Sequence, residues 1–220
     1  RHVLLSGDDI KLLNPNTRTC PIFRTRRDAE ITKAIYNRVP VLIDHNREGP
    51  TRNPWGIRFH TMFHQTNDAE LFREPETLTN DGFTLKGNRW VKGDEERIPV
   101  YEGKMSQAFA PRAARVSVDA SNWFRQAQPV ATTLVDHANP EFLAVPRWWM
   151  DPDHISEAPA LPAYLAFKNV TSPTNRRTMI AGFVPRTSVG NSAPLIFVGE
   201  PHSARRYCCR LATLNAFGLD

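Results

Sequence analysis

The sequence predicts a mixed α+β fold, in which a short helical N-terminal lobe is followed by a strand-rich lobe. One observation is a capped run of apolar residues at helical spacing near the N-terminus. A second is a series of short segments in the second half that are rich in β-branched and aromatic residues. A third is that 18 prolines exceed 11 glycines, which favours stiff connections between many short elements.

The N-terminal helix is predicted over about residues 26–38. Thr25 followed by Asp28 is a capping-box pattern, and Pro40 ends the run. The apolar positions at helical spacing are Ile31, Ala34, Ile35 and Val39. Residues 12–24 contain Asn-Pro-Asn and Cys-Pro and are expected to form an extended, arginine-bearing loop.

The strand-rich lobe is predicted to begin after a polar stretch at residues 74–93, which is typical of a surface hairpin or loop. We therefore divide the chain into a helical and connecting lobe, residues 1–95, and a strand-rich lobe, residues 96–220. The predicted strands lie at residues 97–105, 130–134, 164–170, 177–184 and 195–198. A final helix is predicted over about residues 204–216.

Composition excludes several classes of protein. With 220 residues, 40% hydrophobic and 23% charged, the chain is too apolar for intrinsic disorder, and no apolar run approaches the roughly 20 residues of a membrane helix. Three cysteines fit neither a disulfide framework nor a metal knuckle, so we expect a cytoplasmic protein. The chain begins with Arg1 rather than Met and is interpreted as a fragment of a larger protein.

The charge points to an anionic partner. The formal net charge is +5, and most of the basic residues are arginine, whose planar guanidinium can grip phosphate or guanine with two hydrogen bonds. A coding sequence biased toward arginine codons would give the same composition. Basic residues recur beside apparent turns, as a surface that faces duplex DNA requires.

One triplet suggests a different chemistry. Glu102-Gly103-Lys104 ends a predicted strand, and Glu-x-Lys in that setting is half of the pattern of metal-dependent nucleases. The other half would be an upstream acid, for which Asp81 and Asp94 are the candidates. A surface Glu-Lys pair is the simpler interpretation. No metal site is predicted, since His60 and His64 lack a third ligand.

Four segments together resemble the C-terminal half of large adenine-specific DNA methyltransferases of type II, type IIG-like restriction-modification systems and related phage-defence methylases. The segments, in order, are LNPNTRTCPIFRTRRDAEITKAIYNRVPVL (residues 13–42), NPWGIRFHTMFHQTNDAELFR (53–73), IPVYEGKMSQAFAPRAA (98–114) and FKNVTSPTNRRTMIAGFVPRTSVGNSAPL (167–195). The third departs from the family pattern, because Phe109-Ala110-Pro111-Arg112 stands where the family has a Phe-Asp-His-Arg-like sequence.

The resemblance implies a target-recognition region. In that family, a catalytic domain binds S-adenosylmethionine and carries Asn-Pro-Pro-Tyr, and this chain contains neither that motif nor the glycine-bearing cofactor motif. The resemblance therefore implies no catalytic residue and no cofactor here, a missing N-terminal catalytic domain as partner, and double-stranded DNA as ligand. The residues expected to face DNA are Lys104, Arg112, Arg176, Arg177 and Arg186. The alternatives are a nuclease lobe around Glu102 and Lys104, and a structural lobe that does not touch DNA.

Overall fold

The α+β prediction is confirmed. The computed structural model describes residues 3–122, 124–155, 159, 161–172 and 174–216. Within these residues the chain forms five α-helices, namely α1 (Gly7–Leu13), α2 (Arg26–Arg38), α3 (Pro75–Asn80), α4 (Leu134–Ala138) and α5 (Ala204–Leu214). None of the helices in the described ranges is long and apolar enough to cross a lipid bilayer.

The same residues form eleven strands in three sheets. The strands are β1 (Arg58–His60), β2 (Thr84–Lys86), β3 (Arg89–Lys92), β4 (Glu95–Tyr101), β5 (Ala114–Val118), β6 (Ala127–Ala131), β7 (Trp149–Met150), β8 (Ala163–Phe167), β9 (Ala181–Pro185), β10 (Ser188–Val189) and β11 (Leu195–Phe197).

The chain divides into two compact units. The first comprises Arg1–Ile57 with Val198–Glu200, and the second comprises Arg58–Phe197 with Pro201–Asp220. The lobe boundary expected between residues 95 and 96 falls within β4, and the β3–β4 pairing crosses it. The division of the chain into domains at residues 95 and 96 stays a prediction.

Helix α2 of the first unit has the predicted bounds and the predicted cap. The Thr25 hydroxyl accepts a hydrogen bond from the Asp28 backbone amide at 3.1 Å, and the Asp28 carboxylate accepts one from the Thr25 amide at 2.9 Å. The expected apolar stripe is not the buried side, because Ile31, Ile35 and Val39 are 40–58% exposed. Ala29 is the buried residue of this helix.

The second unit contains all three sheets. The first sheet is antiparallel in the order β1-β11-β8-β9, and it aligns Tyr164 of β8 with Val184 of β9. The second is built around β4, which pairs with β3 and β7 antiparallel and with β10 parallel, while β2 extends it beyond β3. The third is the β5–β6 hairpin. A core that includes Tyr101, Met105 and Tyr164 is buried in this unit.

Several predicted elements have different bounds. Residues 130–134 were expected to be a strand, but β6 ends at Ala131 and α4 begins at Leu134. The reason is local, because the Thr133 hydroxyl caps the Asp136 amide and so starts a helix. The strand predicted at 97–105 ends at Tyr101 and continues as a short 3-10 helix at Gly103–Met105.

A carboxylate of the first unit gives a test of this packing. Asp9 accepts hydrogen bonds from the Lys33 ammonium and from the Ser6 amide, and the Lys33 hydrogen bond is the main cause that lowers its pKa from 3.8 to about 2. A carboxyl group with a lowered folded pKa stabilises the fold above its ordinary pKa, and this stabilisation is lost as the pH falls toward the folded pKa.

We therefore predict that the Asp9 carboxyl titrates with a midpoint at about 2 when followed by NMR in the folded chain. Lys33→Ala should raise the midpoint toward 3.8. Lys11→Ala is the matched control, since Lys11 pairs with Asp8 instead, and it should leave the Asp9 midpoint unchanged. A midpoint near 3.8 in the unaltered chain would contradict the contact between α1 and α2.

Candidate nucleic-acid interface

A tight turn at residues 107–110 presents an exposed aromatic ring. Gln107 and Ala110 close the turn, since the amide of each donates to the carbonyl of the other at 2.9 Å. Phe109 at the tip has φ 61° and is 70% exposed. The left-handed conformation costs a residue with a side chain about 1–2 kcal/mol, so the rest of the fold holds this turn in place.

The turn rests on strand β9 at a glycine. A Cβ added at Gly182 would lie 3.3 Å from the Gln107 carbonyl oxygen and 4.0 Å from the Phe109 amide nitrogen. A larger residue at position 182 would push the turn away from the sheet. Gly182 therefore fixes how closely the turn approaches β9.

Two cavities flank this segment within the second unit. Gln107 and Ala108 line the first, of about 330 Å³, and Pro111 and Arg112 line the second, of about 280 Å³. The first also contains Arg176 and Arg177, and the second also contains Arg89 and Arg186. None of the described residues that line either cavity is an Asp or Glu, although Arg89 of the second cavity forms an ion pair with Glu96 outside the lining.

The five residues predicted to face DNA fall into two groups. Arg176 and Arg186 are exposed, and neither side chain forms a hydrogen bond or an ion pair with any residue that the structure describes. They lie on opposite sides of β9 along the chain, one beside each cavity. Their guanidinium groups are available to an anionic ligand.

Two other arginines of the set bind backbone carbonyls. Arg177 Nη1 donates to the carbonyl oxygen of Asn215 at 2.6 Å. Arg112 donates to three carbonyl oxygens at and beyond the end of α4: Nη2 to His137 at 3.3 Å, and Nη1 to Asn139 at 3.3 Å and to Phe142 at 3.0 Å. A cation at a helix C-terminus satisfies carbonyls that the helix leaves without donors. Arg112 therefore stabilises the loop after α4, and its contact with DNA stays a prediction.

Lys104 binds a buried carboxylate. Its ammonium lies 3.0 Å from Glu102 Oε2, which also accepts a hydrogen bond from Gln65 Nε2 at 3.0 Å. Lys104 donates in addition to the Ala127 carbonyl at 3.2 Å. Glu102 is 2% exposed, so the pair is an internal ion pair rather than the surface pair that the sequence favours.

Three of the four segments that carry the family resemblance meet at Glu102 and Gly103. Gln65 comes from the second segment and Glu102 from the third. Next to Glu102, the Gly103 amide donates to Ser192 Oγ of the fourth segment at 3.0 Å. A Cβ at Gly103 would lie 2.3 Å from the Ser192 carbonyl oxygen, so only glycine fits there. The Tyr-Glu-Gly-Lys-Met sequence thus joins distant parts of the second unit.

The geometry gives no metal centre among the residues that are described. No three His, Cys, Asp or Glu side chains come together in that part of the chain, so it does not supply the carboxylates that a nuclease centre at Glu102 requires. His60 lies in a strand rather than a helix, which removes the helical spacing to His64. Burial raises the pKa of Tyr101, which lines the second cavity, so its hydroxyl stays neutral at physiological pH.

Comparison of the chain with protein-family models, curated proteins and solved structures finds no match. The similarity to adenine-specific DNA methyltransferases stays an expectation that depends on the segments quoted above. The geometry of the second unit is the remaining evidence on function.

Sequence reasoning missed Phe109 and Gly182 as parts of this surface. Nothing in Ala-Phe-Ala-Pro signals a left-handed residue, because glycine and asparagine are the residues that usually adopt positive φ. Gly182 lies in a predicted strand, and a glycine in a strand indicates that another segment of backbone packs closely against it. The sequence does not identify that segment.

The ion pair at Glu102 makes a testable prediction. Lys104→Met leaves a buried carboxylate with Gln65 as its remaining side-chain donor, and we expect the free energy of unfolding to fall by about 2–3 kcal/mol in urea titrations.

Lys86→Met is the matched control. Lys86 is an exposed lysine at the end of β2 whose side chain contacts no described partner, so its loss should change the free energy of unfolding by less than about 0.5 kcal/mol. Equal effects of the two substitutions would show that Lys104 does not stabilise Glu102.

Proposed function

We propose that this chain is the DNA-binding target-recognition part of an S-adenosylmethionine-dependent adenine-N6 DNA methyltransferase from a type IIG-like restriction-modification system, acting in the cytoplasm. In this proposal, the catalytic domain of the parent enzyme precedes the chain and holds the cofactor. The ligand of the chain is double-stranded DNA. The similarity of the four sequence segments supports the family, and the surface around β9 supports the role.

The main support for a DNA-binding role is that the side chains of Arg176 and Arg186 are exposed and unpaired in the part of the chain that the structure describes. Both guanidinium groups are exposed beside cavities whose described lining contains no carboxylate, and neither has a partner among the described residues. A protein that binds a duplex needs cations on its surface for phosphate oxygens and a few planar donor groups for base edges. Arginine supplies both kinds of contact.

The chemistry of the proposed parent explains why such a surface is needed. Adenine N6 is inaccessible inside the base stack, so the enzyme extrudes the base at a cost of a few kcal/mol. Phosphate contacts hold the duplex while the base leaves the stack. An arginine that also binds guanine with two hydrogen bonds would discriminate against other bases by about 1–3 kcal/mol.

The two alternative functions, a structural lobe and a nuclease lobe, have less support in the structure than DNA binding. A structural lobe would keep its basic side chains in internal contacts, and Lys104 and Arg112 are held in that way. Lys104 in particular is bound by the Glu102 carboxylate. The nuclease alternative lacks its further ligands among the described residues.

The salt dependence of DNA binding tests the proposal. If the chain contacts about five phosphates, the logarithm of the association constant should fall with the logarithm of the salt concentration at a slope of about −4 to −5. Arg176→Gln and Arg186→Gln should each weaken binding and reduce the magnitude of the slope by about 1, as fluorescence anisotropy with a labelled duplex would measure.

Arg125→Gln is the matched control, because Arg125 is exposed, its side chain has no described partner, and it lines neither cavity. Its slope should equal that of the unaltered chain. A flat salt response of the unaltered chain would refute DNA binding, and an equal loss in all three variants would refute the assignment to Arg176 and Arg186.

The proposal also predicts the activity of the isolated chain. With S-adenosylmethionine carrying a labelled methyl group and a duplex substrate, the chain alone should transfer no label to DNA, because the catalytic motifs lie outside it. Measurable transfer to adenine N6 would show that the catalytic residues had been placed in the wrong part of the enzyme.

A further inference from the structure

Phe109 lies mostly outside the packing of the second unit. Its ring is 70% exposed, although aromatic side chains contribute most to stability when they are buried. The turn that carries it is closed at Gln107 and Ala110 and seated on Gly182, so the ring projects from a fixed support. A costly left-handed conformation at an exposed Phe indicates a use other than folding.

The surroundings of the ring identify its partner. The cavity with Arg176 adjoins one end of residues 107–112, and the cavity with Arg186 adjoins the other. An exposed aromatic between free cations matches the chemistry of nucleic acid, which offers phosphates to the cations and base faces to the ring. A protein partner would require a larger apolar surface than a single ring.

We propose that Phe109 is a wedge that inserts into the base stack of the duplex held by Arg176 and Arg186. This inference depends on the proposed function, since it takes duplex DNA as the ligand. Apolar side chains inserted between base pairs unstack them partially and bend the duplex. An aromatic ring can also occupy the space that an extruded base leaves, and this compensates for part of the lost stacking.

The other highly exposed Phe of the described chain does not share these features. Phe124 is 93% exposed, but it lines neither cavity and its φ is not positive. It therefore provides a matched control of the same residue type and of similar exposure.

A duplex with a gap in the stack tests the wedge. We compare binding to an intact duplex and to the same duplex with one tetrahydrofuran abasic site, at a fixed salt concentration. A wedge enters the gap without unstacking a base pair, so the unaltered chain should bind the abasic duplex about 5- to 100-fold more tightly.

Phe109→Gly should reduce this preference to about one while the salt slope on the intact duplex is kept. Glycine adopts positive φ without strain, so this substitution removes the ring and preserves the turn. Phe109→Trp should retain the preference, because tryptophan keeps an aromatic face. Phe124→Gly should behave like the unaltered chain, and thermal melts would confirm that all variants fold.

The outcomes separate the two proposals. Salt-dependent binding to the intact duplex without a preference for the abasic duplex, or a preference that persists in Phe109→Gly, would overturn the wedge and leave the DNA-binding role standing. Absence of salt-dependent binding to either duplex would overturn the DNA-binding role and the wedge together.

Discussion

The burial of the Glu102 carboxylate is the constraint on which the second unit depends. A charged group that is 2% exposed is stabilised only if cations and donors replace its water; Lys104 and Gln65 do so at 3.0 Å each for Oε2, while Oε1 has no hydrogen-bond partner among the described residues. Gln65 comes from the segment after β1, and the neighbouring Gly103 binds Ser192 before β11. Glu102 and Gly103 together thereby connect parts of the chain that are far apart in sequence.

This arrangement also decides which cations are available to a ligand. Lys104 binds the buried carboxylate of Glu102, and Arg112 binds three carbonyls at and beyond the end of α4. Arg176 precedes β9 and Arg186 follows it, and both side chains are exposed without a described partner. Position relative to internal acceptors, rather than residue type, separates the cations that already have partners in the fold from the two that we propose as the main contacts with DNA.

The sequence predicted what local interactions determine. The bounds of α2 follow from a cap and a proline within the element, and β8, β9 and β11 overlap the β-branched segments that predicted them. It did not predict that Glu102 is buried, since its partner Gln65 is distant in sequence and charged residues are usually exposed. The exposed stripe of α2 and the left-handed Phe109 were missed for the same reason, because tertiary context sets both.

The packing at Glu102 changes what the family resemblance implies about function. The sequence Tyr-Glu-Gly-Lys-Met suggests a functional site, because charged residues flank a glycine. In this structure, the glycine packs against Ser192, and Glu102 and Lys104 form an ion pair with each other. These contacts are internal to the unit and do not depend on a ligand. Residues that contact a ligand must instead be those that folding leaves unused, and in the described part of the second unit Arg176, Arg186 and Phe109 meet that condition around β9. The interface that we propose is therefore made of side chains that the packing of the second unit does not use.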